Sequence, residues 1–491
     1  MQLNTRLLVG VFVVGLTSGS PVSAAADGPQ ERLLAAAERN DWPAVWQAQT
    51  AGGDITTAAA DGMTALHWAA FHGRSDAARR LLEAGVPVDA ASEYGVTPLQ
   101  IAVSAPDAEL TGVLLDAGAD VHQRSAGHVT PLLHAARAGD PQVIARLLEA
   151  GAKTDDKERS GQTPLMWAAA AGNGEAVQAL VDAEAQVDAT SGQGFTALMF
   201  AARDGHPDVV RRLYESGAQI NLGFDPQRKG GRTPRKGSTA LTLAVESGHF
   251  ELALQLVRYG ADPNDQRSGF TPLHMLSWVR KPNRGEGVDG DPPPRGSGNV
   301  SALQFVRELA AAGADVNARL NRGRIGKAVL TEKGATPFLL AARTADVPLM
   351  KVLLEQGADP KTPNADGCTA PIACAGVGVR AVGEYAGTEP EVMDAIDYLL
   401  DLGLDLNTVD DNGETVLHGA AYRNYPLLVA HLGRRGVDVA TCDHRNKYGW
   451  SPVMIAQGKR PGSFKPSPET VAALQEIGVS MKGRDQAVSG K

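Results

Sequence analysis

Hydrophobic residues along the chain recur in short clusters that alternate with polar segments containing glycine. Residues 163–169 begin with Thr and Pro and end in paired alanines, and residues 143–148 carry apolar side chains three to four positions apart. A Thr before the apolar run and a Pro at the first helical position are typical of helix starts. A Gly such as Gly151 is typical of a helix end. The pattern therefore predicts pairs of short helices separated by tight turns.

These helix pairs recur with a period of 33 residues. The helix-starting residue stands at Thr64, Thr97, Thr130, Thr163 and Thr196, and then less evenly at Thr239, Thr271, Thr336, Thr369, Thr415 and Ser451. A Gly lies two positions earlier in ten of these eleven cases, and a second Gly usually follows the Thr by 21 residues. One such unit cannot bury its own apolar face, so consecutive units must stack on each other.

The unit resembles the ankyrin repeat in residues 64–70 (Thr-Ala-Leu-His-Trp-Ala-Ala) and 81–85 (Leu-Leu-Glu-Ala-Gly). The resemblance covers about residues 31–478. It implies an all-α repeat solenoid of helix–turn–helix units joined by β-hairpin tips, with a concave binding face. Glu184 stands where other repeats have the helix-ending Gly, which predicts a locally weak helix end.

The register divides the chain into four parts. Residues 1–24 precede the repeats, residues 25–62 form an N-terminal capping repeat, residues 63–450 form the array, and residues 451–491 form a C-terminal cap and tail. The array is interrupted by insertions at 222–236, 280–300, 319–333 and 376–390. Because capping units stand at both ends, we expect a monomer.

Residues 1–24 have the order of a secretory signal. Arg6 precedes ten apolar residues at 7–16, and Val22-Ser23-Ala24 forms a small-residue cleavage site. Ten apolar residues are too few to cross a bilayer, which needs about 20. The sequence therefore predicts export to the periplasm or outside the cell, and the whole chain resembles exported bacterial ankyrin-repeat proteins.

Charge and motif content exclude several function classes. The chain has 47 Lys and Arg against 56 Asp and Glu, a net charge of −9, whereas nucleic-acid binders carry a basic excess. No stretch has membrane-spanning length, and no catalytic, metal-binding or phosphate-binding motif fits its context. We therefore expect no enzyme, no cofactor and no membrane span. Three Cys cannot form a disulfide framework, although a Cys368–Cys374 bridge stays open.

The resemblance to ankyrin repeats assigns candidate partner contacts by register. The first helices contribute Trp68, Phe71, His134, Arg137, Trp167, Phe200 and Arg203, and the tips contribute Tyr94, Arg159 and Phe195. Aromatic and Arg side chains dominate binding hot spots. Trp68, Trp167 and Phe200 occupy the same position in their repeats. Two interpretations of these aromatic residues remain open: contact with a partner, or packing between repeats.

Two of the insertions are basic in an acidic chain. Residues 222–236 and 319–333 each contain five Lys or Arg and a single acid. Arg232, Arg235, Arg322 and Arg324 are their candidate binding residues, either for an anionic group or for an acidic partner patch. The alternative is two solvated loops.

The sequence thus predicts a non-catalytic scaffold that binds a protein partner of unknown identity on its concave face. The alternative is a receptor or enzyme for a small anionic ligand, which would use the basic hairpins and the long insertions.

Overall fold

The computed structural model of the chain describes residues 28–105, 107–225, 234–282, 293–323, 330–379, 383, 386–459 and 465–481. These residues form two compact units. One unit contains the described residues up to Ile220 together with Asp225, and the other contains Asn221–Phe224 and the described residues from 234 onward. The division falls at the first long insertion, inside the array that the repeat predicts to be continuous. Residues 1–24 lie outside the described part of the chain.

The described residues contain 25 helices, of which all but one form twelve consecutive pairs. The first unit contains α1 (Pro29–Glu38), α2 (Trp42–Thr50), α3 (Ala65–Phe71), α4 (Ser75–Glu83), α5 (Pro98–Ser104), α6 (Ala108–Asp116), α7 (Pro131–Ala138), α8 (Pro141–Glu149), α9 (Pro164–Ala171), α10 (Gly174–Asp182), α11 (Ala197–Asp204) and α12 (Pro207–Glu215).

The second unit continues the same order. It contains α13 (Ala240–Glu246), α14 (Phe250–Arg258), α15 (Pro272–Arg280), α16 (Ala302–Ala311), α17 (Pro337–Arg343), α18 (Val347–Glu355), α19 (Ala370–Ala375), α20 (Glu389–Asp401), α21 (Val416–Arg423), α22 (Pro426–Arg434), the single turn α23 (Val439–Cys442), α24 (Pro452–Ala456) and α25 (Pro468–Glu476).

Eleven of the twelve described helix pairs begin directly after the predicted Thr or Ser, and α1 begins after Gly28 instead. The Thr163 side chain accepts a hydrogen bond from the Met166 amide at 3.4 Å, which caps the start of α9. The second helix α8 ends before Gly151, whose φ of 93° lies in the left-handed region that favours glycine. Glu184 adopts the same conformation with φ of 62°, so the chain turns there without the glycine. Such a conformation is strained for a side-chain-bearing residue.

Within each unit, first helices pack on neighbouring first helices and second helices on second helices. The paired alanines Ala135, Ala136, Ala168 and Ala169 are fully buried, which allows α7 and α9 to approach closely. The second helices contribute larger buried side chains such as Leu147 and Leu180. Each repeat thus buries its apolar face only against its neighbours, as the all-α solenoid requires.

The tips are tight turns, and the described residues contain no extended strands, which corrects the expectation of β-hairpins. In one tip the Ser92 amide donates to the Val96 carbonyl at 3.0 Å, and the Glu93 amide donates to Asp61 of the preceding tip at 2.8 Å. The same tip-to-tip bond joins Ala126 to Tyr94 and Arg159 to Gly127. Each tip offers too few such pairs to extend into a strand.

Histidines that follow the Thr-x-Leu sequence connect adjacent repeats. The Nδ1 atom of His67 accepts from the Thr64 amide at 3.0 Å, and its Nε2 lies 3.1 Å from the carbonyl of Val96 in the next repeat. In the next repeat Gln100 makes the equivalent pair of bonds with its amide group. We call such a side chain a cross-repeat staple.

Candidate partner-binding surface

The first helix of each repeat places its fourth and seventh residues after the Thr on one side. On α7 these residues are His134 and Arg137, and on α9 and α11 the fourth residues are Trp167 and Phe200. Residues three apart on a helix lie on the same face, so His134 and Arg137 are neighbours. Apart from Tyr94 and Arg159 on the tips, the predicted candidates of the first unit form three clusters of contacting side chains, which differ in exposure and charge.

The first cluster consists of Trp68, Phe71 and His72 on and after α3. The Trp68 and Phe71 rings meet edge to face at 6.0 Å, and Trp68 stacks on His72 at 6.3 Å. His72 in turn lies 2.8 Å from the Glu38 carbonyl. Trp68 is only 8% exposed, so its ring is mostly used in internal packing.

The second cluster consists of Phe195, Phe200, Arg203 and Asp204. The two Phe rings lie 5.0 Å apart and are both buried. The Arg203 guanidinium lies 5.0 Å from the Phe200 ring centre and forms an ion pair with Asp204 at 2.7 Å. The structure therefore uses both rings for packing and neutralises the arginine beside them. The ion pair was not predicted, although the two residues are adjacent in sequence.

The third cluster brings His134 and Arg137 of α7 to Trp167 of α9. The His134 ring meets the Trp167 ring edge to face at 6.1 Å, and the Arg137 guanidinium lies 5.9 Å from the Trp167 ring centre. Arg137 is exposed, and Trp167 and His134 are partly exposed. Burial, and then the Arg137 charge, lower the pKa of His134 to about 4, so its imidazole is neutral at pH 7.

The tips of the same unit add two exposed side chains, Tyr94 and Arg159. Their backbones are fixed by the tip-to-tip hydrogen bonds, which hold consecutive tips side by side. Among the other predicted contact residues of this unit, Arg137 is exposed and Trp167, like Phe71 and His134, is partly exposed. We call Tyr94, Arg137, Arg159 and Trp167 the contact set.

The structure describes two of the four candidate arginines in the basic insertions, Arg235 and Arg322. Arg235 forms an ion pair with Glu246 at 2.7 Å, and its guanidinium lies 4.9 Å from the Phe270 ring centre. Arg235 is therefore already paired with a carboxylate of its own chain. Arg322 is exposed, while Arg232 and Arg324 lie outside the described residues.

The described parts of the long insertions are bound to the repeats beside them. The Ser297 amide donates to Nδ1 of His249 at 2.8 Å, at the start of α14. The buried guanidinium of Arg423 donates from Nη1 to the Ala386 carbonyl at 3.2 Å and from Nη2 to the Arg343 carbonyl at 3.1 Å. These hydrogen bonds of Arg423 were not predicted from the sequence, because the carbonyl partners lie 37 and 80 residues away.

The cysteines take no part in a disulfide. Cys368, Cys374 and Cys442 are all free and buried. Burial raises the pKa of the Cys374 thiol to about 12, so this side chain stays a neutral thiol. The described residues contain no cluster of three or more His, Cys, Asp or Glu side chains suited to hold a metal ion.

Family models match this chain in both units. A model of three ankyrin repeats matches residues 33–125 and 132–224. A model of many ankyrin-repeat copies matches residues 198–257 and 389–429, and a single-repeat model matches residues 333–365. Together these segments span more than half of the chain. The chain belongs to the ankyrin-repeat family.

Ankyrin repeats are generally protein–protein interaction modules, and the family is typically non-catalytic. The comparison with curated proteins gave no match for this ankyrin-repeat chain. Within the described ranges, every helix is too short or too polar to traverse a lipid bilayer.

Proposed function

We propose that this ankyrin-repeat chain is a non-catalytic scaffold, exported to the periplasm or outside the cell, that binds a protein partner. The partner contacts the first helices and tips, which the family resemblance identifies as the concave face. Export is supported by the order of Arg6, the apolar residues 7–16 and the small-residue site at 22–24.

The observation that carries the binding proposal is the accessible contact set. Tyr94, Arg137, Arg159 and Trp167 come from consecutive repeats, on helices and tips that are fixed by packing and backbone hydrogen bonds. Aromatic and Arg side chains on rigid elements bind with a small loss of conformational entropy. The rings of Trp68, Phe195 and Phe200 are buried, so these residues are not part of the contact set.

A capture experiment with two matched double variants tests the proposed face. The test variant is Tyr94→Ala with Arg137→Ala, and the control is Tyr214→Ala with Arg146→Ala on second helices. Tyr94 and Tyr214 are 39% and 40% exposed, so both variants remove one similar tyrosine and one exposed arginine. We expect the test variant to weaken capture from the exported fraction about tenfold or more, and the control to retain it.

Thermal unfolding followed by circular dichroism verifies that both variants fold. Equal capture by the two variants would contradict the assignment of the first helices and tips. If the wild-type chain captures no protein, the scaffold function itself is wrong.

A further inference from the structure

In the cluster of His134, Arg137 and Trp167, the guanidinium and the imidazole have N–H donors without an acceptor among the described residues. Among the described residues, no carboxylate forms an ion pair with Arg137, although its guanidinium is held at 5.9 Å from the Trp167 ring centre. A guanidinium presents its donors in a planar fork that matches a carboxylate. Stacking on a ring leaves the edge of that fork available.

Arg203 of the second cluster occupies the same position in its repeat as Arg137 does, and its guanidinium is paired with a carboxylate. Arg203 also lies over aromatic rings, but it donates from Nε and Nη2 to the two carboxylate oxygens of Asp204 at 2.8 and 2.7 Å. At the residue after Arg137 the chain has Ala138 in place of the aspartate. The bidentate carboxylate that Arg203 finds within the repeat is therefore missing beside Arg137.

His134 supplies a second donor at the same place. Its ring nitrogens have no hydrogen-bond partner among the described residues, whereas His67, His274 and His418 use both nitrogens in cross-repeat staples. His134 sits on α7 one turn before Arg137. A neutral imidazole carries one N–H donor, which can add to a guanidinium at a shared acceptor.

Arg159 extends the positive surface to the tip before α9, since it is exposed and has no ion pair with a described carboxylate. Arg137 is the seventh residue of α7, so it lies about 9 Å along the helix from Pro131 at the tip end. An extended peptide covers this length in about three residues.

We propose that Arg137, Trp167 and His134 bind a carboxylate of an acidic peptide segment in the partner. The guanidinium donates two N–H groups to the carboxylate oxygens, the Trp167 ring packs against the adjoining side chain, and Arg159 meets a second acid along the segment. The inference rests on the proposed scaffold function and specifies the chemistry of its partner.

Selection from a display library of random peptides, with the full chain as target, supplies the probe. We expect the selected peptides to be enriched in Asp and Glu. One selected peptide and its counterpart with Asp→Asn or Glu→Gln are then measured against the wild-type chain and Arg137→Gln. If the carboxylate binds Arg137, the variant weakens the acidic peptide about tenfold and leaves the amide peptide nearly unchanged.

Arg80→Gln is the matched control. The Arg80 guanidinium lies 3.9 Å from the Trp46 ring centre and is also exposed, but it belongs to the second helix α4. We expect this variant to bind the acidic peptide as the wild type does.

The outcomes separate the two proposals. The carboxylate site would be wrong if the selected peptides bound the Arg137→Gln variant as tightly as the wild type, or if Arg80→Gln reduced their affinity as much as Arg137→Gln does. The scaffold function would not be affected by either result. The carboxylate site would also be wrong if Tyr94→Ala reduced the affinity of the selected peptides while Arg137→Gln weakened the acidic and the amide peptide equally. A chain that selects no peptide and captures no protein would overturn both.

Discussion

At the scale of single residues, the cross-repeat staples show how one side chain joins two repeats. In the repeat that begins at Thr415, the Nδ1 of His418 lies 2.9 Å from the Thr415 hydroxyl, and its Nε2 lies 3.2 Å from the Trp450 carbonyl of the next repeat. The Nε2 position must carry the proton to donate to this carbonyl, and in the neutral imidazole Nδ1 can then accept from the Thr415 hydroxyl. Burial lowers the pKa of His418 to about 3, which agrees with this state.

Replacement of His418 tests whether its side chain stabilises the fold through the two hydrogen bonds of the cross-repeat staple or only through packing. We expect His418→Ala to lower the free energy of unfolding by about 1–3 kcal/mol, because the Trp450 carbonyl loses its donor. His418→Gln should retain most of the stability, because Gln100 makes both bonds in its own repeat. Urea unfolding at about pH 7 measures the difference, and equal destabilisation by Ala and Gln would contradict the staple.

The same variants predict a pH dependence with a definite sign. The folded pKa of His418 lies below its unfolded value of about 6.5, so the stabilisation is present above that pH and is lost as the pH falls toward 3. At about pH 5 the wild type should lose about 2 kcal/mol relative to His418→Gln. An unchanged stability difference between pH 7 and pH 5 would exclude a buried neutral histidine.

At the scale of structural elements, the tip turns depend on the residue five positions before the Thr. The Oδ1 of Asn364 accepts hydrogen bonds from the Asp366 and Cys368 amides at 3.0 and 2.9 Å. Asp410 repeats this pattern with the Asn412 and Glu414 amides at 2.9 and 2.8 Å. The remaining group differs, because Asn364 donates from Nδ2 to the Thr331 carbonyl at 2.8 Å, whereas the buried Oδ2 of Asp410 has no hydrogen-bond partner among the described residues.

Asp410→Asn should therefore stabilise the tip. Burial, and to a lesser extent the charge of Asp366, raise the pKa of Asp410 to about 6. A carboxyl with a raised folded pKa destabilises the fold at pH 7, and this cost disappears as the pH falls from about 6 to 4. We expect the variant to gain about 1–3 kcal/mol at pH 7 and almost nothing at pH 4, as measured by urea unfolding.

The reciprocal replacement Asn364→Asp is the control for this tip. It removes the amide that donates to Thr331, so we expect a loss of stability at pH 7. If Asp410→Asn is neutral or destabilising at pH 7, the assignment of Asp410 as an uncompensated buried acid is wrong.

Periodic features of these elements were predictable from the sequence, and features that depend on distant residues were not. The capping Thr163 and the helix end at Gly151 follow from local conformational preferences, so the helix pairs were predicted correctly. The burial of Phe200 and the pairing of Arg235 with Glu246 depend on how neighbouring elements pack. The register places a residue on a helix face, but it does not specify whether a neighbour covers that residue.

At the scale of the whole molecule, the chain is held together by contacts between adjacent repeats within two units. In the first unit, α7 packs on α5 and α9, and the tips join through single backbone hydrogen bonds. The apolar and hydrogen-bonding capacity of each repeat is thus largely used by its neighbours. The contact set keeps accessible side chains for a partner, so we assign binding to the first helices and tips.

Hydroxyl-radical footprinting of the chain, alone and bound to its captured partner, tests this assignment most directly. The method reports side-chain accessibility, and the nearly equal exposure of Tyr94 and Tyr214 provides an internal comparison between the two surfaces. We predict that the partner protects Tyr94 and Trp167 from oxidation and leaves Tyr214 unchanged. Protection of Tyr214 with continued oxidation of Tyr94 and Trp167 would contradict the account.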